Sequence, residues 1–334
     1  MSRAAIVASL ASLLLLATGQ PAHGYKRLFA DIDGRQVFLR WLQPTVRYAI
    51  NERPVPRVTG AQLTAVMARA FGRWQDVETA SIAFQYDGPT TADPLDFDGI
   101  NVIGFVDAPE LEGVLGLTLT TFDTLTGEIV DSDIFFNSIE LWSAAEAGEE
   151  GRYDVESVAV HEAGHFLGLD HSALGFFEER EGDLRLAGAE ASLFPFAFDP
   201  GNIALRALRP DDIAGVSTIY PAGNVASSTG RLEGRVLKED VGVYGAHVLA
   251  FNPVTGRSVG GFSLSPTGDF RIEGLEPGRY VVRVEPVDDI GLDSFFEDSP
   301  FDIDVDFGVT FFERFVGVPA GGASATFDVV VRPR

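Results

Sequence analysis

A run of eleven residues, His161-Glu-Ala-Gly-His165-Phe-Leu-Gly168-Leu-Asp-His171, leaves little freedom in either local structure or chemistry. Histidines four apart project from one face of an α-helix about a turn from each other, so the imidazoles of His161 and His165 can share one metal ion. Glu162 points about 100° around the helix from the first of them, where it flanks the ion without binding it. That is the place for a general base. Gly168 can adopt the left-handed conformation that ends a helix, which turns the chain and returns His171 as a third ligand. The ion that suits this set is zinc, and three ligands leave a fourth position open, as in catalytic rather than structural zinc sites.

A bare His-Glu-x-x-His can arise by accident on an amphipathic helix. The longer pattern specifies five positions, which at even residue usage would occur in roughly one chain in ten thousand of this length. The chain has five histidines, at 23, 161, 165, 171 and 247, and three of them fall in this run. The spacing is the metzincin signature, and the wording HEAGHFLGLDHS resembles the matrixin branch of that family. The similarity extends to Leu208-Arg-Pro-Asp211-Asp212-Ile213-Ala-Gly215-Val-Ser-Thr-Ile219-Tyr220, which looks like the last helix of a matrixin catalytic domain. Val46 to Ile50 and Phe71 to Trp74 look like its first strand and first helix. The resemblance covers roughly residues 40 to 221.

It implies an α+β catalytic domain, a twisted mixed sheet with helices, acting on protein or peptide substrates. It implies that Gly113 to Phe122, where Leu115, Leu117 and Leu119 alternate with smaller residues, is the sheet-edge strand that pairs with extended substrate. Three departures from the family stand out. Phe135 occupies a position where many matrixins carry a histidine of a second, structural zinc site, which implies that this site is missing. Asn137 stands where the family often has a calcium-binding aspartate, which weakens the case for calcium. Ala191-Ser-Leu193-Phe194-Pro195 resembles the turn that places a methionine beneath the zinc, with Leu193 keeping the apolar bulk and losing the thioether. The pro-segment cysteine by which matrixins hold themselves latent has no counterpart, because the chain contains no cysteine.

That absence also excludes disulfides, a thiolate zinc site and cysteine-linked lipid anchors. At 334 residues and 46% hydrophobic content the chain can build two domains with real cores. A formal charge of −24 argues against nucleic acid or an anionic membrane as partner. Residues 1–24 read as a secretion signal: Arg3, an apolar run from Ala4 to Ala17 too short to span a bilayer comfortably, then small residues before Tyr25. No stable membrane span is expected once it is removed. The mature chain is therefore expected to be secreted and extracellular, or periplasmic or surface-held.

The catalytic domain is expected over residues 25–221. A helix should begin after Thr59, whose spacing to Gln62 is that of a capping box. Its apolar stripe is Leu63, Val66, Met67, Ala70, Phe71, Trp74 and Val77. Strands are expected at 81–85, 99–106 and 113–122. Asp131, Asp133 and Glu140 read as solvated polar residues, and the acidic run 177–183 as a surface loop. Asp154 is a natural N-cap for the zinc helix, and Pro210, Asp211 and Asp212 suit a helix start.

Residues 222–229 form a small polar linker. After it, from 230 to 334, short alternating runs punctuated by glycine and proline predict an all-β sandwich. Gly268-Asp-Phe270-Arg-Ile-Glu-Gly274-Leu-Glu-Pro-Gly278-Arg-Tyr280 resembles the carboxypeptidase-regulatory-like, or transthyretin-like, β modules. His247 reads as structural. The whole is expected to be a secreted zinc endopeptidase in which Glu162 moves the protons. Since the ligands and base precede Ala222, the chemistry is expected not to need the β region. A protease fold with little activity, retained for binding or adhesion through the β region, is the alternative.

Overall fold

The structure, a computed structural model, describes residues 25–32, 35–180, 183–287, 292–296 and 301–334. The expected secretion signal and His23 lie outside them. A hairpin of β1 (Phe29–Ile32) and β2 (Arg35–Phe38) precedes β3 (Thr45–Asn51), and α1 follows over Gly60–Gln75. The helix starts where the capping box places it, the Gln62 amide donating to Thr59 Oγ1 at 3.2 Å and the Thr59 amide to Gln62 Oε1 at 2.9 Å. All seven residues of its predicted stripe, with Val77 just past its end, are buried.

Strands β4 (Ala83–Thr90), β5 (Val102–Val106), β6 (Gly116–Phe122) and β7 (Ile129–Asn137) complete a mixed sheet in the order β4-β3-β5-β7-β6. All its pairs are parallel except the antiparallel edge pair β6-β7. The predicted strands are therefore present with shifted ends. A short pair, β8 (Trp142–Ser143) and β9 (Tyr153–Asp154), runs into α2 (Val155–Phe166). There Asp154 caps the helix by accepting the Ser157 amide at 2.8 Å. Trp74 Nε1 donates to the Val160 carbonyl at 3.0 Å, and the Phe71 and Phe166 rings meet at 5.2 Å, so α1 lies directly against α2.

Two expectations are corrected. Asp131 and Asp133 are not solvated: both are buried in β7, where Asp131 Oδ2 accepts the Gly99 amide at 3.0 Å and Asp133 Oδ1 accepts the Val102 amide at 2.6 Å. Their carboxylates finish the backbone of the chain entering β5, and burial pushes the Asp133 carboxyl up to about 8. The acidic run at 177–183 is not an open loop, because the backbone there makes a hairpin of β10 (Gly175–Arg180) and β11 (Asp183–Ala189).

Helix α3 (Pro210–Ile219) begins with proline in its first turn, as expected, and α4 (Val225–Ser228) occupies the linker. Beyond it β12 (Gly230–Lys238), β13 (Val241–Gly242), β14 (His247–Asn252), β15 (Arg257–Phe262), β16 (Asp269–Leu275) and β17 (Gly278–Glu285) precede a short helix α5 (Leu292–Phe296). Strands β18 (Thr310–Phe311), β19 (Val316–Val318) and β20 (Phe327–Val331) close the chain. They form two sheets, β13-β12-β16 with β20 on β12, and β15-β14-β17-β18 with β19 on β17. His247 is buried and bonded through Nδ1 to Glu285 Oε1 at 3.1 Å.

The β region is not a separate appendage. One hydrophobic core runs from α1 and α2 through Ala214, Val216 and Ile219 of α3 to Ile272 and Leu275 of β16. Gly274 lies so close to α3 that a Cβ there would meet the Ala214 carbonyl at 2.9 Å. Asp211, buried at the start of α3, accepts the Gly260 amide of β15 at 2.8 Å. This packing argues against the independence of the two regions expected from the order of His161, His165 and His171 along the chain, and truncation at Pro221 is the test of it.

Burial, with the neighbouring Asp212 charge, pushes the Asp211 carboxyl from its ordinary 3.8 up to about 7. A raised acid pKa means the folded chain holds the proton more tightly than the unfolded one, so the stability this group contributes is present at pH 4 and lost as pH rises through 7. Asp211→Asn keeps an oxygen for the Gly260 amide and has no charge to desolvate. Its thermal midpoint should rise relative to wild type between pH 4 and pH 8; a constant difference across that range would contradict the assignment.

Candidate metal centre

The local geometry of α2 delivers two of the three imidazoles. His161 and His165 lie one turn apart with ring centroids 4.7 Å from each other. Gly168 has φ +90°, and a Cβ at this position would run into the Leu39 carbonyl at 2.5 Å, so glycine serves both the reversal and the close approach. The chain then doubles back beside the N-terminal segment, Leu28 donating to the Gly168 carbonyl at 2.9 Å and Asp170 to the Lys26 carbonyl at 2.9 Å. This places the His171 ring 4.8 Å from His165 and 5.3 Å from His161. Among the described residues these three histidines are the one set of three whose ligand atoms all fall within 4.8 Å of one another.

Each imidazole is oriented from behind. Nδ1 of His161 bonds to the Ser192 carbonyl at 2.9 Å, Nδ1 of His165 to the Leu169 carbonyl at 2.9 Å, and Nδ1 of His171 to the Ser294 carbonyl at 2.7 Å. A carbonyl can only accept, so all three Nδ1 atoms carry the proton and all three Nε2 atoms present a lone pair. Burial, with the neighbouring histidines, lowers the three pKa values to about 3 for His161 and about 4 for His165 and His171. The rings are therefore neutral at pH 7, as metal ligands must be.

Nε2 of His161 and Nε2 of His165 are 3.0 Å apart. Two lone pairs at that separation, with no proton between them, repel unless a cation is shared. Tetrahedral zinc with Zn–N bonds of 2.0–2.1 Å would set neighbouring nitrogens about 3.3 Å apart. The donor set therefore fits zinc in number, type and protonation, and the His161–His165 pair is close to its spacing.

Glu162 is buried and belongs to the same helix, one residue past His161. Its partner comes from β6: Thr118 Oγ1 donates to Glu162 Oε2 at 2.7 Å and also lies 3.1 Å from the Glu162 carbonyl. Gly116 gives the carboxylate room, since a Cβ there would meet Glu162 Oε1 at 2.8 Å. Burial raises the Glu162 pKa to about 7 while the Thr118 hydroxyl pulls it down, a balance that suits a group taking and returning a proton near neutrality. Thr118 was not singled out from the sequence, where it is one more residue in an alternating strand.

Leu193 is buried against the underside of α2, and a Cβ at Gly164 would meet its Cδ2 at 2.7 Å. The turn that carries it is held by Asp212, which accepts the Ser192 amide at 3.0 and 2.9 Å, and by the Ser172 amide, which donates to the Leu193 carbonyl at 3.0 Å. Leucine thus fills the floor beneath the histidines. Phe135 is core. Asn137 is buried with its amide donating to the Ala108 and Leu111 carbonyls at 3.0 and 3.1 Å, a structural use of the side chain.

Residues 40–175 match the matrixin family model. Metalloendoproteinase 1 of Glycine max is 29% identical over 197 residues, covering 54% of this chain and 52% of that protein. Metalloendoproteinase 4-MMP of Arabidopsis thaliana is 28% identical over 208 residues, covering 60% and 52%. Metalloendoproteinase 1-MMP of the same plant is 32% identical over 143 residues, covering 40% and 36%. The chain thus spans about half the length of the first two relatives. No helix among the described residues is long and apolar enough to cross a membrane.

Proposed function

We propose, on the premise that residues 40–175 are a matrixin-type metallopeptidase region, that the chain is a zinc-dependent endopeptidase. The observation that carries this reading is the convergence of three neutral, carbonyl-oriented imidazoles beside a buried carboxylate. His161, His165 and His171 would hold the ion, and zinc in such a site supplies Lewis acidity toward a scissile carbonyl and toward water. Glu162 takes the proton from the attacking water on its carboxylate and passes it to the leaving amine, so no covalent acyl-enzyme is required. Strand β6 is the edge of its sheet and runs beside Glu162, which supports binding of extended substrate backbone by strand addition.

The signal-like residues 1–24 support secretion, and the two sheets beyond Gly230 support reading residues 230–334 as a carboxypeptidase-regulatory-like β module. The test is incubation of the zinc-loaded chain with unstructured peptides. Internal cleavage identified by mass spectrometry, abolished by a chelator and restored by stoichiometric zinc, is the expected outcome. A chain that holds zinc and cleaves nothing would favour the binding alternative.

Thr118→Val isolates the contact between β6 and the base. Valine keeps the shape and removes the hydroxyl, so Glu162 loses the Thr118 hydrogen bond. A hydrogen bond to a charged group is worth about 1.5–3 kcal/mol, so kcat should fall by roughly one to two orders of magnitude. KM should change little, because the hydroxyl is turned toward Glu162. A lower kcat with intact zinc content checks this; an unchanged kcat would remove Thr118 from the site.

A further inference from the structure

Two of the three histidines are oriented by carbonyls that precede the β region, His165 by Leu169 four residues on and His161 by Ser192 31 residues on, whereas His171 is oriented by Ser294, 123 residues away in α5 of the β region. That helix does not rest on the site by a single bond. Lys26 donates to the Phe295 carbonyl at 2.5 Å and pairs with Asp170 at 2.8 Å, and Asp170 in turn accepts the His171 amide at 2.7 Å. The Phe295 side chain is buried, stands edge-on to the His171 ring at 6.4 Å, and packs against Phe262 of β15 at 5.8 Å.

We propose that α5 is the seat of the third zinc ligand, with the Ser294 carbonyl fixing His171 and Lys26 acting as the positioning residue that locks α5 to the His171 loop. The inference rests on the zinc reading above and extends it, making the β region part of the metal centre and not a tether or a targeting module. The physical reason is the usual one for outer partners of a metal-bound histidine. A carbonyl on Nδ1 selects the tautomer that offers Nε2 and holds the ring in the coordinating plane. His171 lies in a loop past the end of α2, so unlike His161 and His165 it has no helix to hold its ring, and the outer partner matters more.

The test uses the full chain and zinc alone, with affinity read by competition against a chromophoric chelator. Losing such a partner typically weakens metal binding about 10–100-fold. Lys26→Met and Phe295→Ala should each show a loss of that order while the zinc-free circular dichroism stays that of wild type, and Lys26→Arg should recover much of it. Phe295→Ala leaves the Lys26–Asp170 pair in place. Weakening by Lys26→Met alone would therefore trace the effect to Asp170 and overturn the seat.

A readout free of variants is the imidazole nitrogen spectrum of the zinc-loaded wild type, where the Nδ1–H of His171 should exchange with solvent as slowly as those of His161 and His165. Fast exchange at His171 alone, or wild-type affinity in both variants, overturns the inference and leaves the zinc site standing. A wild-type chain that takes up no zinc overturns the underlying reading instead.

Discussion

Replacing Glu162 with alanine should leave about one zinc per chain and remove nearly all hydrolysis. The three imidazoles and their carbonyl partners do not involve the Glu162 side chain, so the ligand set survives the change. In the proposed mechanism this buried carboxylate, held by Thr118, is the proton acceptor, and general acid–base assistance is worth about 10²–10⁴ in rate. His165→Ala should behave differently, losing metal and activity together, because two ligands seldom retain a catalytic zinc. Metal content and peptide cleavage measured on the two variants separate the roles. A Glu162→Ala chain with wild-type, chelator-sensitive cleavage would dismiss the base.

Ending the chain at Pro221 should have an even broader effect. Taken from the order of residues alone, everything chemical precedes that point, and a working fragment is the natural expectation. The fold predicts otherwise. Removal of the β region strips β16 from the apolar face of α3, leaves the buried Asp211 without the Gly260 amide, and takes the Ser294 carbonyl from His171. Newly exposed apolar surface costs about 25 cal/mol per Å², which is large against a total stability of roughly 5–15 kcal/mol. The fragment should melt well below the full chain, bind an apolar dye and hold zinc poorly. A soluble fragment with a cooperative transition and full-chain zinc affinity would show that the shared core is dispensable.

The parts legible in the chain were those whose geometry is set within a few residues. Helical spacing brings His161 and His165 together whatever surrounds them, Gly168 reverses the chain through its own backbone freedom, and Thr59 caps α1 three residues from Gln62. The apolar stripe of α1 likewise marks a buried face in advance of any partner.

The remainder depended on which strands become neighbours, which no local pattern states. Asp131 and Asp133 look like surface carboxylates until the pairing of β5 with β7 puts backbone amides within reach of them. Thr118 becomes the partner of Glu162 only because β6 is the edge strand beside α2. Strand β15 carries little alternation because Gly260 and Gly261 interrupt it, yet Gly260 is what lets His247 and Leu174 approach, since a Cβ there would meet His247 Nε2 at 2.8 Å and Leu174 Cγ at 3.1 Å. The return of His171 to the other two histidines was readable from its spacing after Gly168, but the carbonyl that orients it comes from a helix 123 residues later, a contact made by the packing of two regions and by nothing in the motif itself.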